Sequence, residues 1–223
     1  MSVAEPLLAA SAVSYTYSHE PVLREVDLTV RAGEMIAIRG PSGAGKSTLL
    51  LCCAGIVLPD RGQVRFDGEA LSELSASERA RRRLTRMGFV FQSSDLIPEL
   101  PLLDNVSLPL EVSGTPRRTA RGRAAAELDR LGIDEAVAAR LPGAVSGGQA
   151  QRAAVARALV HAPRMVFADE PTGALDSVSG TVVMESLSSA RARGVAVLVV
   201  THDDAVAAFA DRVAHLVDGR MVA

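Results

Sequence analysis

Eight consecutive residues, Gly40-Pro41-Ser42-Gly43-Ala44-Gly45-Lys46-Ser47, constrain the fold of this chain more than any other stretch. They fit G-x-x-x-x-G-K-[ST], which binds phosphate when a strand precedes it and a helix follows. Both neighbours are present. Met35-Ile36-Ala37-Ile38 is apolar on both faces, the pattern of a buried parallel strand. Lys46 to Ala54 reads as a helix ended near Gly55. Glycines let the backbone turn tightly, so that successive N–H groups point inward at phosphate oxygens. The helix adds its free N–H groups and the positive end of its dipole. Lys46 would reach the β- and γ-phosphates and the Ser47 hydroxyl would ligate Mg²⁺. Gly40, Pro41, Ser42, Gly43, Ala44, Gly45, Lys46, Ser47 and Thr48 are therefore the expected nucleotide contacts.

A second site element lies far along the chain. Met165-Val166-Phe167-Ala168 is an apolar strand that ends in Asp169-Glu170. Parallel strands of such sheets deliver their C-terminal ends to the ligand crevice. Successive strand residues point opposite ways, so the two carboxylates are expected to face apart and to have different jobs. Asp169 suits a Mg²⁺ shell. Glu170 suits the water that attacks a terminal phosphate, where a positioned base contributes ~10²–10⁴ in rate.

The chain between these elements is organised as one unit. Alternating runs at Val13-Tyr15-Tyr17 and Val26-Leu28-Val30 predict half-buried strands. Turn signals at Pro59 to Gly62 and at Asp67-Gly68 flank a strand from Val64 to Phe66. Helical spacing marks Ser77 to Arg86, Pro116 to Leu131, Gly147 to Val160 and Val178 to Arg193. Strand patterns return at Val195 to Val200 and Val213 to Val217. Strands alternating with helices imply an α/β parallel sheet. We expect a single domain over 1–223: a core with a β portion at about 1–92 and 161–223, and a helical portion at about 93–160.

Composition excludes several other readings. A formal charge of −2 gives no general attraction to nucleic acid or anionic lipid. The basic cluster Arg79, Arg81, Arg82, Arg83 and Arg86 adjoins Glu73 and Glu78 and reads as a solvated helix face. No apolar stretch approaches the ~20 residues that span a bilayer, so a link to a membrane would come through a partner. The N-terminus lacks a positive region, which argues against a signal peptide. Cys52 and Cys53 are adjacent, poorly placed for a disulfide and too few for zinc; they read as reduced core residues.

Between the glycine loop and the acidic strand end lies Val145-Ser146-Gly147-Gly148-Gln149, followed by a helix that begins Ala150-Gln151-Arg152. Ser146 can cap that helix and make its N-terminus a second anion site. With this segment the chain resembles the ATPase subunits of ABC transporters over nearly its full length. The resemblance implies a P-loop NTPase (RecA-like) fold: a mainly parallel sheet with helices on both faces, an N-terminal antiparallel β subdomain and a helical insert subdomain. It implies that Ser146, Gly147, Gly148 and Gln149 face the γ-phosphate of ATP held by a second subunit, so that a homodimer encloses two ATP molecules. Gln92, after Gly88-Phe89-Val90-Phe91, resembles the glutamine that contacts Mg²⁺ and water and moves with a membrane partner. His202, in Val200-Thr201-His202-Asp203, resembles the histidine at the γ-phosphate; Gly173-Ala174-Leu175-Asp176 resembles the loop that signals across the dimer. Tyr17 resembles the aromatic that stacks on adenine, with Tyr15 an alternative on the same strand face.

Finer features narrow the resemblance. Leu96-Ile97-Pro98, Asp104 to Leu110 and Pro171 to Ser177 are similar to the group containing macrolide exporters, lipoprotein-release systems and a cell-division regulator. Val145 and Ala150 depart from the residues usual there but remove no chemical group. The end at Ala223 implies no added regulatory domain. The expected function is that of a cytoplasmic subunit, peripheral on the inner face of the cell membrane, whose ATP hydrolysis powers a separate integral membrane permease, with no nucleic-acid partner. The alternative is a non-transport ABC ATPase or a regulatory ABC subunit, such as a cell-division or iron–sulfur assembly ATPase.

Overall fold

The computed structural model describes residues 5–222. Two sheets organise it. The first is antiparallel and is built from β1 (Leu8–Tyr17), β2 (Glu20–Val30), β4 (Arg61–Phe66) and β5 (Glu69–Ala70), in the order β2-β1-β4-β5. The second has the order β10-β9-β3-β8-β7-β6, from β3 (Met35–Arg39), β6 (Met87–Val90), β7 (Met165–Asp169), β8 (Ala196–Thr201), β9 (Arg212–Val217) and β10 (Arg220–Val222). All its pairs are parallel except the β9–β10 hairpin.

Strand alternation sorts the second sheet into two hydrophobic cores. Ile36, Ile38, Phe167, Leu198 and Val200 face α1 (Lys46–Cys53) and the antiparallel sheet. Met35, Val166, Ala168, Val197 and Val199 face the other way, onto helices. Those helices are α3 (Leu102–Val112), α4 (Arg117–Arg130), α6 (Gly147–Leu159) and α7 (Ser177–Ala192). The short helices α5 (Glu135–Ala138) and α8 (Asp204–Ala207) complete the set, with α2 (Ala76–Arg86) on the surface. This is the α/β arrangement expected from the sequence, with helices on both faces of a mainly parallel sheet.

Local chemistry explains most boundaries. Gly40 can only be glycine, because a Cβ there would lie 2.0 Å from the Leu216 carbonyl oxygen on β9. α2 starts with a capping box: the Ser75 hydroxyl accepts from the Glu78 N–H, and the Glu78 carboxylate accepts from the Ser75 N–H. Four of its five arginines are held on the protein. Arg82 pairs with Glu69, Arg86 pairs with Asp67, and Arg79 and Arg83 donate to the carbonyls of Leu74 and Gly55. Cys52 and Cys53 are buried free thiols; burial pushes Cys52 up to about 12 and Cys53 higher still, so both stay protonated.

One helix lies where the sequence pattern gave no separate element. α3 contains Pro109 and buries Asn105, whose Oδ1 accepts from the Ile97 N–H and whose Nδ2 donates to the Ile97 and Leu100 carbonyls. A proline and a buried amide both disguise a helix in sequence, yet here the amide staples the preceding loop to the helix.

Candidate functional site

The glycine loop links β3 to α1. Gly43 and Gly45 sit at φ 82° and 97°, conformations that glycine reaches without a steric penalty. Gly45 is the N-cap residue of α1, and no side chain caps the helix. Its first N–H groups are thus not taken up by a cap. The loop is braced from outside: the Gly219 N–H in the β9–β10 turn donates to the Ala44 carbonyl at 3.2 Å. Inside it, the Lys46 ammonium donates to the carbonyls of Gly40 and Pro41 at 2.8 and 3.0 Å. The aliphatic stem of Lys46 is thereby folded back over the loop.

Next to the loop is a cavity of about 530 Å³ whose lining includes Ser47, Gln92, Asp169 and Glu170. Four residues from three separate segments meet there. Asp169 ends β7 and lines the cavity together with Ser47. Burial raises the Asp169 carboxyl above the usual carboxylate range, opposed by the neighbouring Ser47 hydroxyl; Glu170 adds to the rise and Lys46 works against it. A carboxyl raised in the folded state favours folding most in acid, and that contribution is lost as pH rises through its raised value.

The two carboxylates do not face apart. Glu170 lies just past the strand at φ 45°, and this left-handed residue breaks the alternation, so both acids line one cavity. Oε1 of Glu170 lies 2.7 Å from His202 Nδ1, and Oε2 accepts from the Thr201 hydroxyl at 3.1 Å. Thr201 is fully buried and also accepts from the Asp203 N–H at 3.0 Å. Glu170 is therefore fixed from two sides, by groups at the end of β8.

Gln92 follows β6. A Cβ on Gly173 would lie 3.0 Å from its Nε2, so the glutamine side chain lies against the turn after Glu170. The segment Ser146 to Gln149 caps α6 with a second box: the Ser146 hydroxyl accepts from the Gln149 N–H, and Gln149 Oε1 accepts from the Ser146 N–H. These residues are not among those lining the cavity. Tyr17 is not either; it ends β1 with 68% of its surface exposed, whereas Tyr15 packs against a core. Thus Ser47, Gln92, Asp169 and Glu170 converge, Lys46 and His202 join by contact, and Tyr17 and the Ser146 segment stand apart.

Two residues escaped the sequence reading. Thr201 lies just past the apolar run Val195 to Val200 and stands in sequence only as a neighbour of His202. Gln151 is 3% exposed, and its amide donates to the carbonyls of Phe91 at 2.8 Å and Pro171 at 2.9 Å. Its signal was a lone amide on the stripe that continues through Val155 and Ala158, both buried.

An uncapped glycine loop, a hydroxyl beside a strand-end carboxylate and a second carboxylate held by a histidine define a P-loop ATPase site. The family model for ABC transporters matches residues 23–173, and the chain belongs to that family. It is 42% identical to the lipoprotein-releasing system ATP-binding protein LolD 2 of Caulobacter vibrioides, over 98% of each chain. It is 44% identical to the macrolide export ATP-binding/permease protein MacB of Escherichia coli, over 97% of this chain and 34% of that one. The chain thus spans about a third of the exporter and nearly all of the lipoprotein-release relative. Among solved structures, a dimeric bacterial ABC transporter cassette superposes with a TM-score of 0.90 at 38% identity, over 97% of both chains. A cassette dimer in a post-hydrolysis state bound to ADP and Pi superposes with a TM-score of 0.89, also at 38% identity and 97% coverage of both. The chain is an ABC ATPase: it binds ATP and hydrolyses it.

Proposed function

We propose that this ATPase works as the cytoplasmic motor of a membrane transporter, closing as a homodimer on two Mg·ATP and reopening after hydrolysis. The observation that carries this reading is the cavity where Ser47, Gln92, Asp169 and Glu170 converge beside an uncapped glycine loop. The donors fit Mg²⁺: a hydroxyl, a carboxylate and an amide oxygen are hard ligands, and Mg²⁺ takes one or two carboxylates plus substrate phosphates. Consistently, no cluster of three or more His, Cys, Asp or Glu able to hold a metal alone occurs among the described residues. When bound, the ion neutralises charge on the β- and γ-phosphates.

Phosphoryl transfer needs positioning and charge stabilisation more than covalent help. The amides of Gly43 to Ser47 and the Lys46 ammonium grip the phosphates. Glu170, oriented by Thr201 and His202, accepts the proton of the attacking water. Gln92 positions that water, and Tyr17, exposed at the end of β1, offers a face to the adenine. What one chain lacks is a cover over the γ-phosphate, and Ser146 to Gln149 of a second copy supply it. Residues 1–92 with 161–223, and 93–160, then act as two lobes that move against each other. An apolar cavity of about 370 Å³, lined in part by Ile56, Leu84, Phe89, Phe91 and Pro109, opens beside the Gln92 loop and gives a permease a place to press on it. No helix among the described residues is long and apolar enough to cross a membrane.

Titration calorimetry of the purified chain with ATP, with and without Mg²⁺, tests the site. Tighter binding with the metal, lost in Asp169→Asn, is expected; equal affinity under both conditions would remove the metal role. Co-purification of a polytopic membrane protein that stimulates turnover would support the motor role.

A further inference from the structure

We propose that Gln151 is a positioning residue that couples each subunit's ATP-covering segment to that same subunit's own hydrolytic groups. The claim rests on the paired-subunit reading above. Its structural basis is independent of it.

The β6–β7 ladder ends at the pair Val90–Ala168. Beyond it the two segments separate, β6 into a loop and β7 after one more residue paired with β8, and the carbonyls of Phe91 and Pro171 leave the ladder between them. Gln151 takes over there. One amide has two N–H donors, and both are spent on backbone just past the strands: the Phe91 carbonyl, one residue beyond β6, and the Pro171 carbonyl, two residues beyond β7. Phe91 directly precedes Gln92, and Pro171 directly follows Glu170. A single buried side chain therefore holds the loop of the water-positioning glutamine and the loop of the base at a fixed separation.

The third body is α6 itself. Five residues, about 7.5 Å of helix, separate Ser146 from Gln151, so any shift of the helix start is passed rigidly to the brace. Arg157, further along α6, donates to the Ser94 carbonyl at 3.0 Å and the Asp95 carbonyl at 2.7 Å. It pins the far side of the Gln92 loop; of the two side chains, only Gln151 also reaches the loop after Glu170. When the start of α6 seats on the partner's nucleotide, Gln151 draws Phe91 and Pro171 with it and sets Gln92 and Glu170 over the subunit's own nucleotide. The two ATP sites are thereby linked through each chain, which predicts cooperative turnover.

The test uses the full chain and two variants, Gln151→Met, which keeps length and loses both donors, and Gln151→Glu, which keeps shape and faces the carbonyls with an acceptor. Nucleotide affinity of the unpaired chain is expected to stay within about twofold of the parent, since neither variant touches the phosphate loop. Turnover should fall by about tenfold to a hundredfold, the scale of a misplaced catalytic group. The Hill coefficient for ATP, above one in the parent, should fall towards one. Parental turnover and Hill coefficient in a folded variant would overturn the proposal, as would a parental coefficient of one. If neither variant folds well enough to hold nucleotide, Gln151 is a folding element and the proposal is likewise overturned. Pairing of Glu170→Gln in ATP is measured beside them: if that variant never pairs, the dimer reading itself fails, whereas pairing with unchanged cooperativity in the Gln151 variants condemns only the brace.

Discussion

The starts of α1 and α6 are both built to meet phosphate, yet they differ in how their amides are satisfied. α1 follows Gly45 in a left-handed conformation, and no side chain caps it. α6 follows Ser146, and the Ser146–Gln149 box takes up two of its N–H groups internally. The open end is stable only because its surroundings hold it: the Gly219 N–H bonds to Ala44, and Gly40 nestles under Leu216. The closed end is partly exposed, capped by its own box and packed at Gly148 against Ser179 of α7. The difference teaches a division of labour. On the proposed function, the open end would grip a nucleotide alone, and the closed end would wait, preformed, for one that another copy has already bound.

Disabling hydrolysis while sparing both ends is the severest way to sharpen this comparison. Glu170→Gln should lower turnover by ~10²–10⁴, leave ATP binding intact and accumulate an ATP-bound dimer on size-exclusion chromatography. A variant that binds ATP yet remains a single chain would break the division of labour. Next in size is the open end. Lys46→Ala removes charge-assisted contacts worth ~1.5–3 kcal/mol each, so single-chain affinity for ATP should drop by roughly tenfold to a hundredfold in calorimetry. The closed end should respond differently. Ser146→Ala costs about 1 kcal/mol of stability by loss of the cap, lowers turnover, and leaves single-chain affinity at the parental level. Weaker binding by the isolated Ser146→Ala chain would erase the distinction between the two ends. The smallest effect serves as a control. Ser75→Ala removes the similar box of α2, away from the cavity; it should lower Tm by about 2–4 °C and leave turnover unchanged.

The legibility of the site followed the range of the interactions that build it. The glycine loop, the Ser146 cap and the acidic strand end are spelled by neighbours in sequence, so their chemistry could be read before the fold. The opposed orientation expected of Asp169 and Glu170 could not survive, because the backbone leaves β geometry at Glu170, where its N–H donates to the Val200 carbonyl. α3 was hidden by Pro109 and by Asn105, whose amide is satisfied by a loop rather than by solvent. Thr201 and Gln151 were invisible as site residues because each acts on a chain segment 20 or more positions away.

Sequence by itself determined which groups are available: a glycine-rich loop, an acidic strand end and a serine-capped helix, each encoded by residues a few positions apart. Tertiary structure alone decided that β8 would aim Thr201 and His202 at Glu170, that β9 would require a glycine at position 40, and that one buried amide would join two loops. Those outcomes depend on which strands become neighbours. That order is set by burial of two opposite faces of one sheet, a property of the whole chain and not of any window within it.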